Sequence, residues 1–230
     1  MTKRTALISG ANRGIGEAIA RRLHKDGWNL SLGMRSLESP DWDTDKRCHL
    51  FQYDAEHGTE DTWVAEALAK FGQVDAIIPS AGIMTPGSII DAEDQDIDHL
   101  MDINLKAPRR LAKAAWSELA RSERGRIIIL ASLSGKRVKS AASGLYSVSK
   151  FAVVGLAHAL RQAGWDKGIR ATAVCPGLVN TAMAHAISDR PHDQMSDPDA
   201  IADAVALLLD MPDNSSVAEF HVNCALEEVY

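Results

Sequence analysis

The sequence predicts one α/β domain built on a doubly wound parallel sheet. Three observations lead there. Short apolar runs alternate along the chain with longer amphipathic ones, as strands separated by helices do. The run Arg126-Ile127-Ile128-Ile129-Leu130 shows no polar alternation, which suits a strand covered on both faces. A glycine-rich turn follows the first apolar run and opens the first helical pattern. The length of 230 residues suits a single domain, residues 1–230, rather than two small ones.

The elements follow in order. Thr5–Ser9 reads as the first strand, and residues 14–26 read as a helix stopped by Gly27. Strands are expected at residues 29–34 and 49–53. A helix over residues 60–71 ends at Gly72, and a strand over 75–80 follows. Residues 94–119 read as one long helix with a kink at Pro108. Strand 126–130 precedes a helix over 143–164 and a strand over 170–175. Ser196-Asp197-Pro198 is a start signal for a helix over 199–209, and residues 220–223 form the last strand. Two stretches read as sizeable loops, residues 36–46 and 178–196.

Composition excludes several function classes. Hydrophobic residues make up 46 %, enough for a large core. The formal charge is -6 and no Lys/Arg cluster forms a phosphate-tracking surface, so no nucleic-acid partner is expected. Cys48, Cys175 and Cys224 are odd in number and far apart, which fits neither a disulfide framework nor a zinc motif. His185 and His192 have no Cys or carboxylate at metal-like spacing, so no metal site is expected. The N-terminus breaks into Gly10, Asn12 and Arg13 too early for a signal peptide, and no run of 18 apolar residues exists. A cytoplasmic protein without a membrane span is the expectation.

Two constellations carry chemistry. In Ser9-Gly10-Ala11-Asn12-Arg13-Gly14-Ile15-Gly16 the glycines permit positive φ and close ligand approach. The helix that follows offers free N–H groups and a positive dipole end to a pyrophosphate. The same glycines would also serve a plain strand-to-helix turn. The second constellation is Tyr146 and Lys150, four apart on one helix face. A cation beside the phenol favours its ionised form, so the pair can exchange a proton near neutral pH. The pattern alone also suits surface packing. Ser132 strengthens it, because it follows the 126–130 strand, where catalytic groups of a parallel sheet gather. Its hydroxyl can donate to a substrate oxygen as charge develops there.

Taken together, these motifs resemble the short-chain dehydrogenase/reductase family in its compact single-domain branch, from Thr5 to about Leu209. The resemblance implies a Rossmann-type fold, a nicotinamide cofactor and oxidoreduction of a carbonyl or secondary alcohol. It implies that Asn104, Ser132, Tyr146 and Lys150 are catalytic. It further implies that Gly10, Asn12, Arg13, Gly14, Ile15 and Gly16 hold the cofactor's phosphates, and that Asp54 and the Ala81-Gly82 pair line its adenine side. Tyr146 and Lys150 would also touch the cofactor, and Pro176, Gly177, Val179 and Thr181 would flank its nicotinamide. The 178–196 loop would set the substrate. A homodimer or homotetramer is implied too, with apolar residues such as Leu105, Leu111, Val153, Leu156 and Leu160 supplying the face.

Departures from the family pattern are specific. Pro79 and Ser80 replace two asparagines, and Pro79 has no N–H to donate. Ser132 precedes Tyr146 by one residue more than usual, which makes Ser134 a rival. The C-terminal segment from Phe220 lacks the usual glycine-rich ending. At the end of the second strand stand Met34 and Arg35 where an NAD-dependent enzyme commonly has an acidic residue. Arg35 and Arg13 can clamp a 2′-phosphate, so NADP(H) is expected, with NAD as the alternative. Competing readings are a non-catalytic cofactor-binding regulator and a methyltransferase; the latter would leave Tyr146, Lys150 and Ser132 unexplained.

Overall fold

The computed structural model describes residues 3–226. Seven strands form its centre: β1 (Thr5–Ser9), β2 (Asn29–Met34), β3 (Cys48–Gln52), β4 (Ala76–Pro79), β5 (Arg126–Leu130), β6 (Arg170–Pro176) and β7 (Glu219–Val222). They make one sheet in the order β3-β2-β1-β4-β5-β6-β7, every pair parallel. The chain runs outward from β1 to β3, then crosses back to place β4 on the other side of β1. That reversal opens a crevice beyond the carboxyl ends of β1 and β4, the place where such sheets bind ligands.

Helices cover both faces. On one side α1 (Gly14–Lys25) and α8 (Pro198–Asp210) close over Ile8, Leu30, Leu32 and Ile128. On the other, α2 (Glu60–Phe71), α4 (Ala107–Ala114) and α6 (Gly144–Gly164) close over Leu7, Ile77, Ile127 and Ile129. Residues at even and odd positions of one strand thus serve opposite cores. This double cover explains the unbroken apolar run in β5, whose five residues are all buried.

The expected long helix over 94–119 is interrupted. It consists of α3 (Asp94–Met101), a π-helical turn at Asp102–Lys106, α4, and α5 (Trp116–Arg121). Pro108 is the reason: it cannot donate an N–H, and its ring would clash with the carbonyl four residues back. The widened turn accommodates that carbonyl, at residue 104, and leaves Pro108 at the start of α4. β3 and β7 each begin one residue earlier than expected. The 178–196 segment is more ordered than a loop: it holds α7 (Ala182–His185), a short 3₁₀ turn at His192–Gln194, and a parallel bridge between Val179 and Ser196.

Candidate active site

The glycine turn sits at the switch point. Gly10 and Gly14 have φ of 66° and 59°, values that side chains rarely tolerate. A Cβ on Gly10 would stand 3.0 Å from the Ala81 backbone, and one on Gly16 would fall 2.2 Å from the Gly10 carbonyl. A Cβ on Gly14 would meet Thr181 Cγ2 at 3.2 Å. Three segments therefore converge here: the turn, the 81–82 pair and the segment after β6. Among the described residues no side chain caps the N-terminus of α1, so its first N–H groups can meet a ligand. This uncapped glycine cradle fits the pyrophosphate of a dinucleotide. Ser9 was not singled out by the motif, yet its Oγ accepts the N–H groups of Ser80 and Ala81 at 3.1 and 3.0 Å. It ties the turn to the segment after β4; its sequence signal is that it opens the glycine turn, where the family pattern has Thr.

The catalytic candidates lie beyond β5. Tyr146 and Lys150 are both buried on α6, and Lys150 Nζ lies 5.7 Å from the Tyr146 ring centroid. Lys150 Nζ donates to the Leu130 carbonyl at 3.0 Å, at the end of β5. The Ser132 hydroxyl lies close enough to the Tyr146 phenol to favour its ionised form. Ser132 Oγ also accepts the Ser134 N–H at 3.1 Å and lies 3.5 Å from the Pro176 carbonyl. Of the two rival serines, then, Ser132 faces the phenol, while the Ser134 backbone orients it.

Asn104 belongs to the π-helical turn. Its Oδ1 accepts the Ile83 N–H at 2.9 Å, and its Nδ2 donates to the Ile83 carbonyl at 3.0 Å and to Ser149 Oγ at 3.1 Å. Ser149 Oγ in turn donates to the Tyr146 carbonyl at 2.8 Å. The sequence reading passed over Ser149; its signal was a hydroxyl three residues after Tyr146, where it can bond back to the helix. A Cβ on Gly82 would stand 3.2 Å from Asn104 Oδ1 and 3.8 Å from Lys150 Nζ, so the glycine keeps the gap between them open.

Electrostatics depart from the expectation. Lys150 was expected to lower the tyrosine, but burial dominates both groups. It pushes the Tyr146 phenol up to about 12, against the pull of the Ser132 hydrogen bond. It pushes the Lys150 ammonium down to about 8, with the nearby Cys175 acting in the opposite direction. Spacing on a helix shows that two groups are neighbours; it does not show that both are desolvated.

The remaining candidates divide. Pro176 ends β6, and Gly177 donates its N–H to Val222 at 2.8 Å with Asn223 packed directly against it. Val179 is buried, and Thr181 caps α7 by accepting the Ala184 N–H at 3.4 Å. Asn12, Arg13 and Arg35 are exposed around the cradle, whereas Met34 is buried in the core. Neither guanidinium has an ion pair among the described residues. Ile15 is half-buried beside the cradle, and Asp54 accepts the Glu56 N–H at 3.1 Å, a local turn. His185 and His192 stack with ring centroids 4.0 Å apart, and His185 Nε2 lies 2.7 Å from Asn180 Oδ1. Leu111 and Val153 are covered by the chain's own core, contrary to the partner face expected of them. The exposed large apolar residues on α6 are Val148 and Phe151.

A family profile described as short chain dehydrogenase matches residues 4–192. The chain belongs to the short-chain dehydrogenase/reductase family. It is 34 % identical over 233 residues to agropine synthesis reductase of Rhizobium rhizogenes, covering 97 % of this chain and 53 % of that protein. This chain thus spans about half the length of that relative. It is 32 % identical over 217 residues to the oxidoreductase UcpA of Escherichia coli strain K12, covering 92 % of this chain and 82 % of UcpA. A short-chain dehydrogenase/reductase structure from Brucella melitensis superposes with a TM-score of 0.88 at 28 % identity, covering 99 % of this chain and 98 % of that one. A blue fluorescent protein from a metagenomic library, in complex with NADPH, gives 0.85 at 28 % identity, over 96 % and 97 % of the two chains. Family membership and these relatives support nicotinamide-dependent oxidoreduction. Among the described residues no helix is long and apolar enough to cross a membrane.

Proposed function

We propose that this chain is an NADP(H)-dependent carbonyl reductase or secondary-alcohol dehydrogenase in which Tyr146 exchanges the proton. The observation that carries this reading is the convergence of the Tyr146 phenol, the Ser132 hydroxyl and the Lys150 ammonium beyond β5, within reach of an uncapped glycine cradle. When bound, the cofactor supplies or accepts the hydride.

The residues of the chain do the rest. Gly10 to Gly16 hold the pyrophosphate against the α1 N-terminus. Arg35 and Arg13, exposed at the rim, grip a 2′-phosphate. Pro176, Gly177, Val179 and Thr181 form one wall, and Ala81, Gly82 and Asp54 another. Ser132 donates a hydrogen bond to the carbonyl oxygen where negative charge develops. Tyr146 gives its phenolic proton to that oxygen in reduction, and its phenolate takes the proton back in oxidation. Lys150 stabilises the phenolate form. Asn104 positions the Ile83 strap and, through Ser149, the first turn of α6.

The UcpA relative carries only the name oxidoreductase, and the NADPH complex belongs to another protein. The substrate of this chain is therefore assigned by class alone, with the 178–196 segment as its specificity element. A second copy of the chain is the proposed partner, docking on the α6 face that exposes Val148 and Phe151 in a homodimer or homotetramer. Light scattering at dilute concentration should exceed the monomer mass of 24.9 kDa.

The test is a panel of ketones, aldehydes and secondary alcohols assayed with NADPH and NADH in both directions. Turnover with NADPH that disappears in Tyr146→Phe supports the reading. Cofactor binding without turnover of any substrate would instead favour a regulator on the same fold.

A further inference from the structure

The catalytic residues occupy the carboxyl ends of the strands. A second group of reactive side chains lies at the other end of the sheet, where α1 finishes and β3 begins. His24 is in the last turn of α1, and Cys48 is the first residue of β3. Asp43 and Asp45 stand on the strand-free segment before β3. His24 Nε2 lies 3.1 Å from Asp43 Oδ1 and 2.8 Å from Asp45 Oδ1. Ligand atoms of His24, Asp43 and Cys48 all lie within 4.8 Å of one another. The spacing of the chain concealed this group, because the fold joins residues 19 and 24 positions apart.

We propose that His24, Asp43, Asp45 and Cys48 form a binding site for a four-coordinate divalent cation of the zinc type. Three features support it. First, the donor set is one imidazole nitrogen, two carboxylate oxygens and one sulfur, the mixture that zinc accepts. Zinc bonds of about 2.0–2.3 Å give a tetrahedron with edges of about 3.3–3.8 Å. The ligand atoms of His24, Asp43 and Cys48, within 4.8 Å of one another, approach that with shifts of about one ångström, and Asp45 Oδ1, 2.8 Å from His24 Nε2, is the group that must swing to close the fourth position. Second, one imidazole nitrogen carries at most one proton, yet two carboxylate oxygens converge on it. A cation at their centre satisfies all of them. Third, the ligands are already held. Asp43 accepts the N–H groups of Arg47 and Cys48 at 2.9 and 3.2 Å, and Trp42 packs against the His24 ring at 5.2 Å. His24 and Asp43 side chains are 11 % and 12 % exposed, while Asp45 at 49 % opens the site to solvent.

Two resident cations must be weighed. Arg47 pairs with Asp45 through Nε, while its other nitrogens donate to the Trp28 and His24 carbonyls at 2.8 Å each. It pairs with Asp45 Oδ2 and stitches the segment to α1, which leaves Asp45 Oδ1 and the Asp43 carboxylate facing the site for an incoming ion. Lys70 donates to the Cys48 carbonyl at 2.9 Å, and its charge favours the Cys48 thiolate. Without metal the Cys48 thiol stays protonated, pushed up to about 12 by burial and by Asp43. Binding therefore releases the thiol proton to solvent and forms a metal–sulfur bond. Coordination through Nε2 requires the neutral imidazole with its proton on Nδ1. A second group, Cys175, Glu219 and His221, is a poorer candidate: Lys136 Nζ already sits 2.8 Å from the Glu219 carboxylate.

The experiment uses the full chain, tag-free and stripped of metal, titrated with Co²⁺. The expected result is a near-ultraviolet thiolate-to-cobalt band that saturates at one Co²⁺ per chain and is displaced by Zn²⁺. Zn²⁺ at a hundredfold excess over Kd should raise Tm by roughly 5–10 °C. Cys48→Ser should lose the band, and Cys175→Ser should keep it. Asp45→Asn, altered at an exposed side chain, should fold normally and bind Co²⁺ about 10- to 100-fold more weakly. No band and no Zn²⁺ effect on the wild type would overturn the proposal. A band that survives Cys48→Ser, or Asp45→Asn binding at wild-type strength, would overturn it equally.

Discussion

Two parts of the candidate site are built in opposite ways. The proposed catalytic part is largely enclosed and held by hydrogen bonds: buried Lys150 by the Leu130 carbonyl, buried Asn104 by Ile83 and Ser149, and half-buried Ser132 by the Ser134 N–H. The part proposed to read a 2′-phosphate consists of Arg13 and Arg35, both exposed. The first is preorganised, so its geometry exists before any ligand arrives. The second gains its order only with the ligand, so it discriminates by charge rather than by shape. Damage to the first should act on rate, and damage to the second on cofactor affinity.

The sharpest test of the buried part is Lys150→Met. It removes the ammonium that lies beside the Tyr146 ring, and turnover should fall about 10³-fold or more. Stability should move the other way. The folded-state pKa of Lys150, about 8, is below its ordinary value of 10.5, so the charged lysine destabilises the fold below about pH 8. That penalty fades as pH rises from about 8 toward 10.5. At pH 7 the methionine variant should therefore melt roughly 3–6 °C higher. A lower Tm would show that the ammonium is better solvated than its surroundings indicate.

Serine comes next. Ser132→Ala should lower kcat by about 10²-fold, in line with the loss of one oxyanion donor. Ser134→Ala should change it little, because only its backbone N–H touches Ser132. A larger loss in Ser134→Ala would mean that the extra residue before Tyr146 has moved the role.

The pH profile separates the two directions. The phenol is pushed up to about 12 in the cofactor-free protein, so it is protonated throughout the neutral range. Reduction needs that proton and should be flat near pH 7. Oxidation needs the phenolate and should climb about tenfold per pH unit below the pKa of the bound state. Oxidation that declines with rising pH would exclude Tyr146 as the base.

The smallest effect belongs to the exposed part. Arg35→Ala should weaken NADPH binding by roughly 1.5–3 kcal/mol, leave NADH unchanged, and leave kcat at saturation nearly intact. Equal losses for both cofactors would break the comparison, because Arg35 would then be shaping the site rather than reading a phosphate.

Much of this was legible in the chain. The β5 run, the glycine turn and the helix patterns carry periodic or positional signals that survive without coordinates. What was not legible depends on the fold. The break at Asp102–Lys106 arises because one proline displaces a carbonyl a turn earlier, and a kink was all that sequence could indicate. Ser9 and Ser149 act through backbone groups that no residue letter encodes. The raised tyrosine came from the depth of burial, a property of the whole core rather than of the Tyr146–Lys150 spacing. Leu111 and Val153 looked like interface residues because amphipathic periodicity cannot say which of two apolar surfaces the chain itself will cover.

The most direct measurement pairs rate with affinity in Tyr146→Phe, which keeps the ring and removes only the proton donor. Single-turnover reduction should fall by about 10³-fold or more, while the Kd for NADPH stays within about twofold of the wild type. A variant that reduces substrate at the wild-type rate with the same NADPH affinity would contradict the assignment of Tyr146, and with it the proposed mechanism.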